Sequence, residues 1–139
     1  CRGDYFTLAT PTRYTHLVYP AKDPASPGLG VHLTLDLQGG YRLGPDVTWV
    51  DRKDDFGPAE HKLAAFHEAA VRLLGPVDRG QLRYDSCGIR PKLRAPAESA
   101  EKDFVLAEDL PGFVSLVGIE SPGLTAALDL AVRVAGLVV

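Results

Sequence analysis

The stretch Val31-His32-Leu33-Thr34-Leu35-Asp36-Leu37 alternates apolar and polar side chains without a break. A period of two puts the valine and leucines on one face of a strand and His32, Thr34 and Asp36 on the other, which predicts a half-buried strand. Such a strand needs neighbours and a cover. Gln38-Gly39-Gly40 reads as a hairpin turn into Tyr41-Arg42-Leu43-Gly44, and Val47-Thr48-Trp49-Val50 as a further strand after the Gly44-Pro45-Asp46 break. Tyr5-Phe6-Thr7-Leu8 adds a strand-like run near the start, and the short loops predict an antiparallel meander. The cover comes from Pro58 to Leu74, where the period turns helical: Leu63, Phe66, Ala70 and Leu73 share one stripe, and Gly75-Pro76 is the stop.

A strand is predicted from Leu82 to about Ile89, followed by Arg90-Pro91-Lys92-Leu93, and residues 94–102 form the best loop. Phe104-Val105-Leu106 and Phe113-Val114-Ser115-Leu116-Val117 are the last two strands, joined by Glu108-Asp109-Leu110-Pro111-Gly112. The second runs into Gly118-Ile119-Glu120-Ser121-Pro122-Gly123-Leu124-Thr125 and an alanine-rich helix from about Ala126, read as a core helix with a buried N-terminus. Strand, small-residue turn and helix N-terminus together make a socket for an anion, because the first amides of a helix lack intrahelical partners and sit at its positive end. Ser121 suits the cap and Pro122 the first turn. The expected class is α+β: an antiparallel or mixed sheet with one covering helix, then two strands and a terminal helix.

Composition removes several classes of function. With 139 residues and 45% hydrophobic content, the chain is long enough for one core. Asp129 and Arg133 interrupt Leu124 to Val139 well short of the roughly 20 apolar residues that a membrane span requires, so membrane association is not evident. Fifteen basic residues against 18 acidic give a net charge of −3 without a basic stripe, and nucleic acid is not an expected partner. Cys1 and Cys87 lack metal-type spacing, and His61 and His67 are six apart on a predicted helix, so no metal site is expected. With no secretory signal opening the chain, a cytoplasmic setting is expected. The lack of methionine, and a start at Cys-Arg-Gly directly ahead of a strand, predict a piece of something longer. No Gly-x-Ser-x-Gly, Walker sequence or Gly-x-Gly-x-x-Gly after an N-terminal strand occurs, so the chain lacks the usual means of holding a dinucleotide by itself.

Two residues invite chemistry. Arg90 follows an apolar strand and precedes a proline; a guanidinium held there suits a bidentate carboxylate, and a surface or interface ion pair is the alternative. His32, with Tyr19 at the end of the preceding strand, could take a hydroxyl proton near neutral pH, or could simply be hydrogen-bonded within or above the sheet.

Three segments together resemble the C-terminal part of FAD-dependent oxidoreductases of the D-amino-acid-oxidase type, and most closely their L-2-hydroxyglutarate dehydrogenase and oxidase branch. The first runs from His16-Leu17-Val18-Tyr19-Pro20 through Asp23-Pro24 and Gly28-Leu29-Gly30-Val31-His32-Leu33-Thr34 to Leu43-Gly44-Pro45-Asp46; the second is Gly88-Ile89-Arg90-Pro91-Lys92-Leu93; the third is Gly118 to Thr125 with its helix. The resemblance implies that residues 1–103 are part of a substrate-binding domain and residues 104–139 the C-terminal return into an FAD-binding domain, whose N-terminal part in the same protein grips the adenosine and pyrophosphate. It also implies FAD as cofactor and a small carboxylate as substrate. Gly118, Ser121, Gly123, Leu124 and Thr125 would face the flavin's pyrimidine edge, Arg90 would pair with the substrate carboxylate, Tyr19 would line the cavity, and His32 would be the catalytic base. Arg13, Lys92 and Arg94 would be the candidates for a second carboxylate. An amino-acid oxidase of the same fold and a non-catalytic binding domain are the competing readings, and the isolated 139 residues are expected to be inactive.

Overall fold

A computed structural model of the chain describes residues 1–21, 30–98, 100 and 102–138. The Asp23-Pro24 and Gly28-Leu29 parts of the first resembling segment lie outside the described residues. The chain divides into two compact units, Cys1–Ile89 and Arg90–Val139.

In the first unit, β1 (Arg2–Leu8), β2 (His32–Leu35), β3 (Tyr41–Gly44) and β4 (Leu82–Ile89) form an antiparallel sheet in the order β2-β3-β1-β4. This is not the expected meander. β1 enters between β3 and β4, pairing Phe6 with Leu43 on one edge and Asp4 with Cys87 on the other. A central position gives its backbone partners on both edges while one face is buried. Nor is Val47–Val50 a strand. Pro45 has no N–H to offer the ladder, so regular pairing stops after Gly44; the Asp46 amide reaches the Asp4 carbonyl at 3.4 Å, and a bridge forms again at Thr48, whose backbone exchanges bonds of 2.7 and 2.8 Å with Arg2. β2 stops at Leu35 because the Asp36 carboxylate accepts the Gln38 and Gly40 amides at 2.9 and 2.7 Å, closing the hairpin and leaving Leu37 fully exposed.

Helix α1 (Leu63–Leu74) covers the sheet after a 3-10 turn at Glu60–Lys62. Phe66 and Ala70 point inward, with the Phe66 ring 4.4 Å from that of Phe6, and Leu33, Leu43 and Leu82 complete the buried floor. Each such side chain contributes about 1.5–3 kcal/mol by leaving water. Gly75 ends the helix at φ 85°, a left-handed value that glycine takes without strain.

The second unit holds a hairpin, β5 (Val105–Leu110) and β6 (Phe113–Val117), and the helix α2 (Gly123–Ala135). β5 runs further than Phe104–Leu106, leaving only Pro111-Gly112 as the turn, and α2 begins ahead of Ala126. α2 is not a core helix here. Leu124, Leu128 and Val132, spaced four apart on one stripe, are 93%, 84% and 73% exposed. A two-stranded hairpin is too small a sheet to bury that stripe.

Candidate functional site

Successive side chains of β2 point to opposite faces, so Leu33 enters the core beneath α1 while His32 lies on the far face. His32, on the polar face by pattern, is nevertheless buried, because the Tyr19 ring stacks on it at a centroid distance of 4.2 Å and an interplanar angle of 17°. Tyr19 is placed by the bridge between Val18 and Leu33 one residue earlier. The His32 Nδ1 lies 3.1 Å from the Gly30 carbonyl oxygen. A carbonyl only accepts, so Nδ1 carries the proton and the lone pair of the neutral ring is on Nε2. Gly30 sits at φ 77°, which aims its carbonyl back at the ring. His67, by contrast, is tied to the Val77 carbonyl at 2.8 Å, a packing role.

In the second unit Arg90 follows the end of β4, partly buried. The Lys92 amide donates to the Arg90 carbonyl at 3.0 Å across Pro91, and Lys92 Nζ lies 2.7 Å from Glu120 Oε1. Next along, Leu93 presses on Gly118, which stands at φ 71° and where a Cβ would collide with the leucine. The arginine segment and the turn ahead of α2 are thus held together. Of the three cations expected to be available for a second carboxylate, Lys92 is engaged by Glu120, Arg94 is buried and donates to the Glu98 carbonyl at 2.5 Å, and Arg13 is exposed.

The turn differs from expectation in its cap. Ser121 makes no capping bond; Pro122 occupies the cap position at φ −99°, because the Gly123 amide already donates to the Glu120 carbonyl at 2.5 Å. The first amide of α2 to find a helical partner is that of Ala126, on the Pro122 carbonyl at 3.0 Å. The amides of Leu124 and Thr125 make no bond among the described residues, and both residues are exposed, as are Ser121 and Pro122, so the helix N-terminus is open rather than buried. Two unpartnered amides at the positive end of a helix suit an anionic ring edge, the part of a flavin that gathers charge on reduction. Gly118, Gly123 and the backbone of Ser121 shape that turn; a Cβ on Gly123 would meet Ile119.

Sequence reasoning missed a buried charge cluster in the first unit. Asp4 is fully buried and is held by Arg2 at 2.7 Å, Lys62 at 2.5 Å and the Tyr84 hydroxyl at 3.3 Å, while Lys62 also reaches Asp46 and Thr48, each at 2.7 Å. Arg2 further donates to the Asp55 and Gly57 carbonyls. Burial pushes the Asp4 carboxyl upward, but hydrogen bonds from Arg2 and Lys62 outweigh it and hold the group below the usual carboxylate range. Desolvation, with the Cys87 hydrogen bond adding to it, pushes the Tyr84 hydroxyl up to about 12. Arg2 and Lys62 face Asp4, Asp46 and the half-exposed Asp55, so each cation has carboxylate partners, and the cluster pins the N-terminal end of the helical segment to β1 rather than offering a reactive group. Its one trace in the sequence is Arg2 and Asp4 at every second position of the strand whose Phe6 and Leu8 face inward.

Residues 1–137 match the model of the family described as FAD dependent oxidoreductase. The chain belongs to that family. Its cofactor is therefore FAD. Among curated relatives, a mitochondrial L-2-hydroxyglutarate dehydrogenase of Arabidopsis thaliana is 38% identical over 96% of this chain and 30% of its own length. An Escherichia coli K12 L-2-hydroxyglutarate dehydrogenase is 40% identical over 40% of this chain and 14% of its own. A glycerol 3-phosphate dehydrogenase of Caloramator mitchellensis is 28% identical over 91% of this chain and 25% of its own length. The chain thus spans about a third or less of the relatives it matches. Among the described residues no helix is long and apolar enough to cross a membrane, and no group of three or more His, Cys, Asp and Glu could hold a metal ion.

Proposed function

We propose that the complete protein oxidises a 2-hydroxy acid, with L-2-hydroxyglutarate as the first choice, to the 2-oxo acid. The observation that carries the reading is the His32 ring, whose Nδ1–H on the Gly30 carbonyl leaves Nε2 as the proton-accepting atom and whose plane Tyr19 holds. Bound FAD supplies the two-electron acceptor. His32 Nε2 takes the hydroxyl proton as hydride departs from the substrate carbon, Tyr19 lines the cavity and excludes water, and Arg90 holds the carboxylate. The amides of Leu124 and Thr125, with Gly118, Ser121 and Gly123 shaping the backbone, would hold the ring's pyrimidine edge and stabilise the negative charge that gathers there. The choice of acid rests on the dehydrogenase names of the plant and bacterial relatives.

In the same reading, residues 1–103 belong to the substrate-binding domain and residues 104–139 to the FAD-binding domain, whose remaining part takes the adenosine end and covers Leu124, Leu128 and Val132. The compact-unit boundary falls earlier, after Ile89, because Lys92 and Leu93 are tied to Glu120 and Gly118. The proposed setting is cytoplasmic; the plant relative is named as mitochondrial, which makes an organelle the alternative.

The test is anaerobic reduction of the purified complete protein, with L-2-hydroxyglutarate, lactate, glycine, D-alanine and glycerol 3-phosphate added separately while the flavin spectrum is recorded. Bleaching by the first, lost by about 10²–10⁴-fold in rate in His32→Gln with flavin retained, is expected for a positioned general base. Bleaching by an amino acid or glycerol 3-phosphate alone moves the protein to another branch of the family.

A further inference from the structure

By sequence Lys92 is a candidate ligand for a second substrate carboxylate, and its surroundings assign it different work. Its ammonium and the Glu120 carboxylate are 14% and 15% exposed and 2.7 Å apart, so this ion pair is largely shielded from water rather than a flickering surface contact. Glu120 is also the residue whose carbonyl takes the Gly123 amide at the start of α2. At the other end, Lys92 is joined to Arg90 by its own backbone bond across Pro91, a turn with little freedom. A second contact runs alongside, where Leu93 packs on the bare Cα of Gly118. Ion pair, proline turn and glycine contact therefore link the Arg90 segment to the turn before α2 at two points.

We infer that Lys92 and Glu120 are positioning residues, a clamp that fixes the Arg90 segment against the α2 turn and so sets where a carboxylate on Arg90 lies relative to the amides of Leu124 and Thr125. The inference rests on the proposed function in using Arg90 for the carboxylate. Its physical content is alignment: a substrate held at one end by a guanidinium reacts at a carbon a few bonds away, and a displaced anchor misplaces that carbon. Lys92 does not itself touch substrate in this account, so its loss weakens monocarboxylates and dicarboxylates alike.

The experiment uses the complete flavin-loaded protein and reads the dissociation constants of 2-oxoglutarate and pyruvate from the perturbed flavin spectrum, together with KM, kcat and thermal midpoint. Lys92→Met and Glu120→Gln are each expected to weaken both acids about tenfold, the lower end of what a charged hydrogen bond contributes. KM rises with the dissociation constants while kcat changes less. The double variant is no worse than either single one, and the exchanged pair Lys92→Glu with Glu120→Lys recovers much of the affinity. Lys92→Arg and Glu120→Asp, which keep the charges, serve if a neutral variant fails to fold. Effects that add in the double variant to within about twofold, as for independent sites, overturn the clamp. So does weakening confined to 2-oxoglutarate in Lys92→Met with Glu120→Gln unaffected, which makes Lys92 a direct ligand of the second carboxylate. A parent protein whose flavin no 2-hydroxy acid reduces, but whose carboxylate affinities still follow the Lys92 and Glu120 pattern, refutes the proposed reaction and leaves the clamp standing.

Discussion

Replacing Asp4 by asparagine tests whether the buried cluster stabilises the first unit. Asp4 has no exposed surface and stands between two cations, Arg2 and Lys62. The two would not suffer equally. Lys62 keeps Asp46 and Thr48, whereas Arg2, itself buried, keeps two carbonyls, the Tyr84 hydroxyl at 3.3 Å and one bond to the half-exposed Asp55 carboxylate, so no buried carboxylate is left to it. Leaving a buried charge without its partner costs about 3–5 kcal/mol, against roughly 0–1 kcal/mol for a solvent-exposed pair, so the two cases are well separated. At about 4 °C per kcal/mol for a chain of this size, the thermal midpoint should fall by about 12–20 °C. Urea unfolding followed by far-UV circular dichroism, with a calorimetric scan, measures both quantities. If the cost lies in the orphaned guanidinium, adding Arg2→Met to Asp4→Asn should recover a good part of the loss. A loss below about 1 kcal/mol for Asp4→Asn, or a double variant whose loss equals or exceeds the sum of the singles, would refute the account, since the first means that water reaches the pair and the second that removing the guanidinium relieves nothing.

The same cluster carries a pH signature at both ends. The Asp4 carboxyl is held below its ordinary value of 3.8, so its contribution is full above that pH and drains as the pH falls through the lowered value; the Asp4→Asn protein should show a flatter acid limb in urea titrations. The Tyr84 hydroxyl, raised from 10.0 to about 12, contributes fully below pH 10 and loses its contribution between 10 and 12, so Tyr84→Phe should flatten the alkaline limb. Gly118→Ala combines a left-handed backbone with a collision against Leu93, and should cost about 1–3 kcal/mol and lower FAD retention in the complete protein as measured by gel filtration and flavin absorbance. Leu128→Glu places a charge on the exposed stripe of α2; if the rest of the FAD-binding domain covers that stripe, the complete protein should lose flavin, and unchanged retention would show that the stripe faces water.

The parts legible in the sequence are those governed by neighbours along the chain. The alternation around Leu33, the glycine turn after Gln38, the Phe66–Ala70 stripe and the limits of β4 were all set by periods of two and 3.6 residues and by glycine and proline, and the structure places them there. The small-residue turn at Gly118–Thr125 was legible for the same reason. What tertiary structure decided is everything that depends on which segments meet. Period alone could not tell that β1 enters between β3 and β4, since both edges of a strand look alike in sequence. Nor could it tell that His32, on a polar face by pattern, is buried under Tyr19 with its tautomer set by Gly30, because a ring stack joins residues whose spacing carries no signal. Asp4 and Lys62, 58 residues apart, and Lys92 and Glu120, 28 apart, are ion pairs that only the folded chain brings to hydrogen-bond distance. Local sequence sets the elements because backbone geometry and side-chain periodicity act over a few residues. The charges of a site are chosen by packing, which acts over the whole chain.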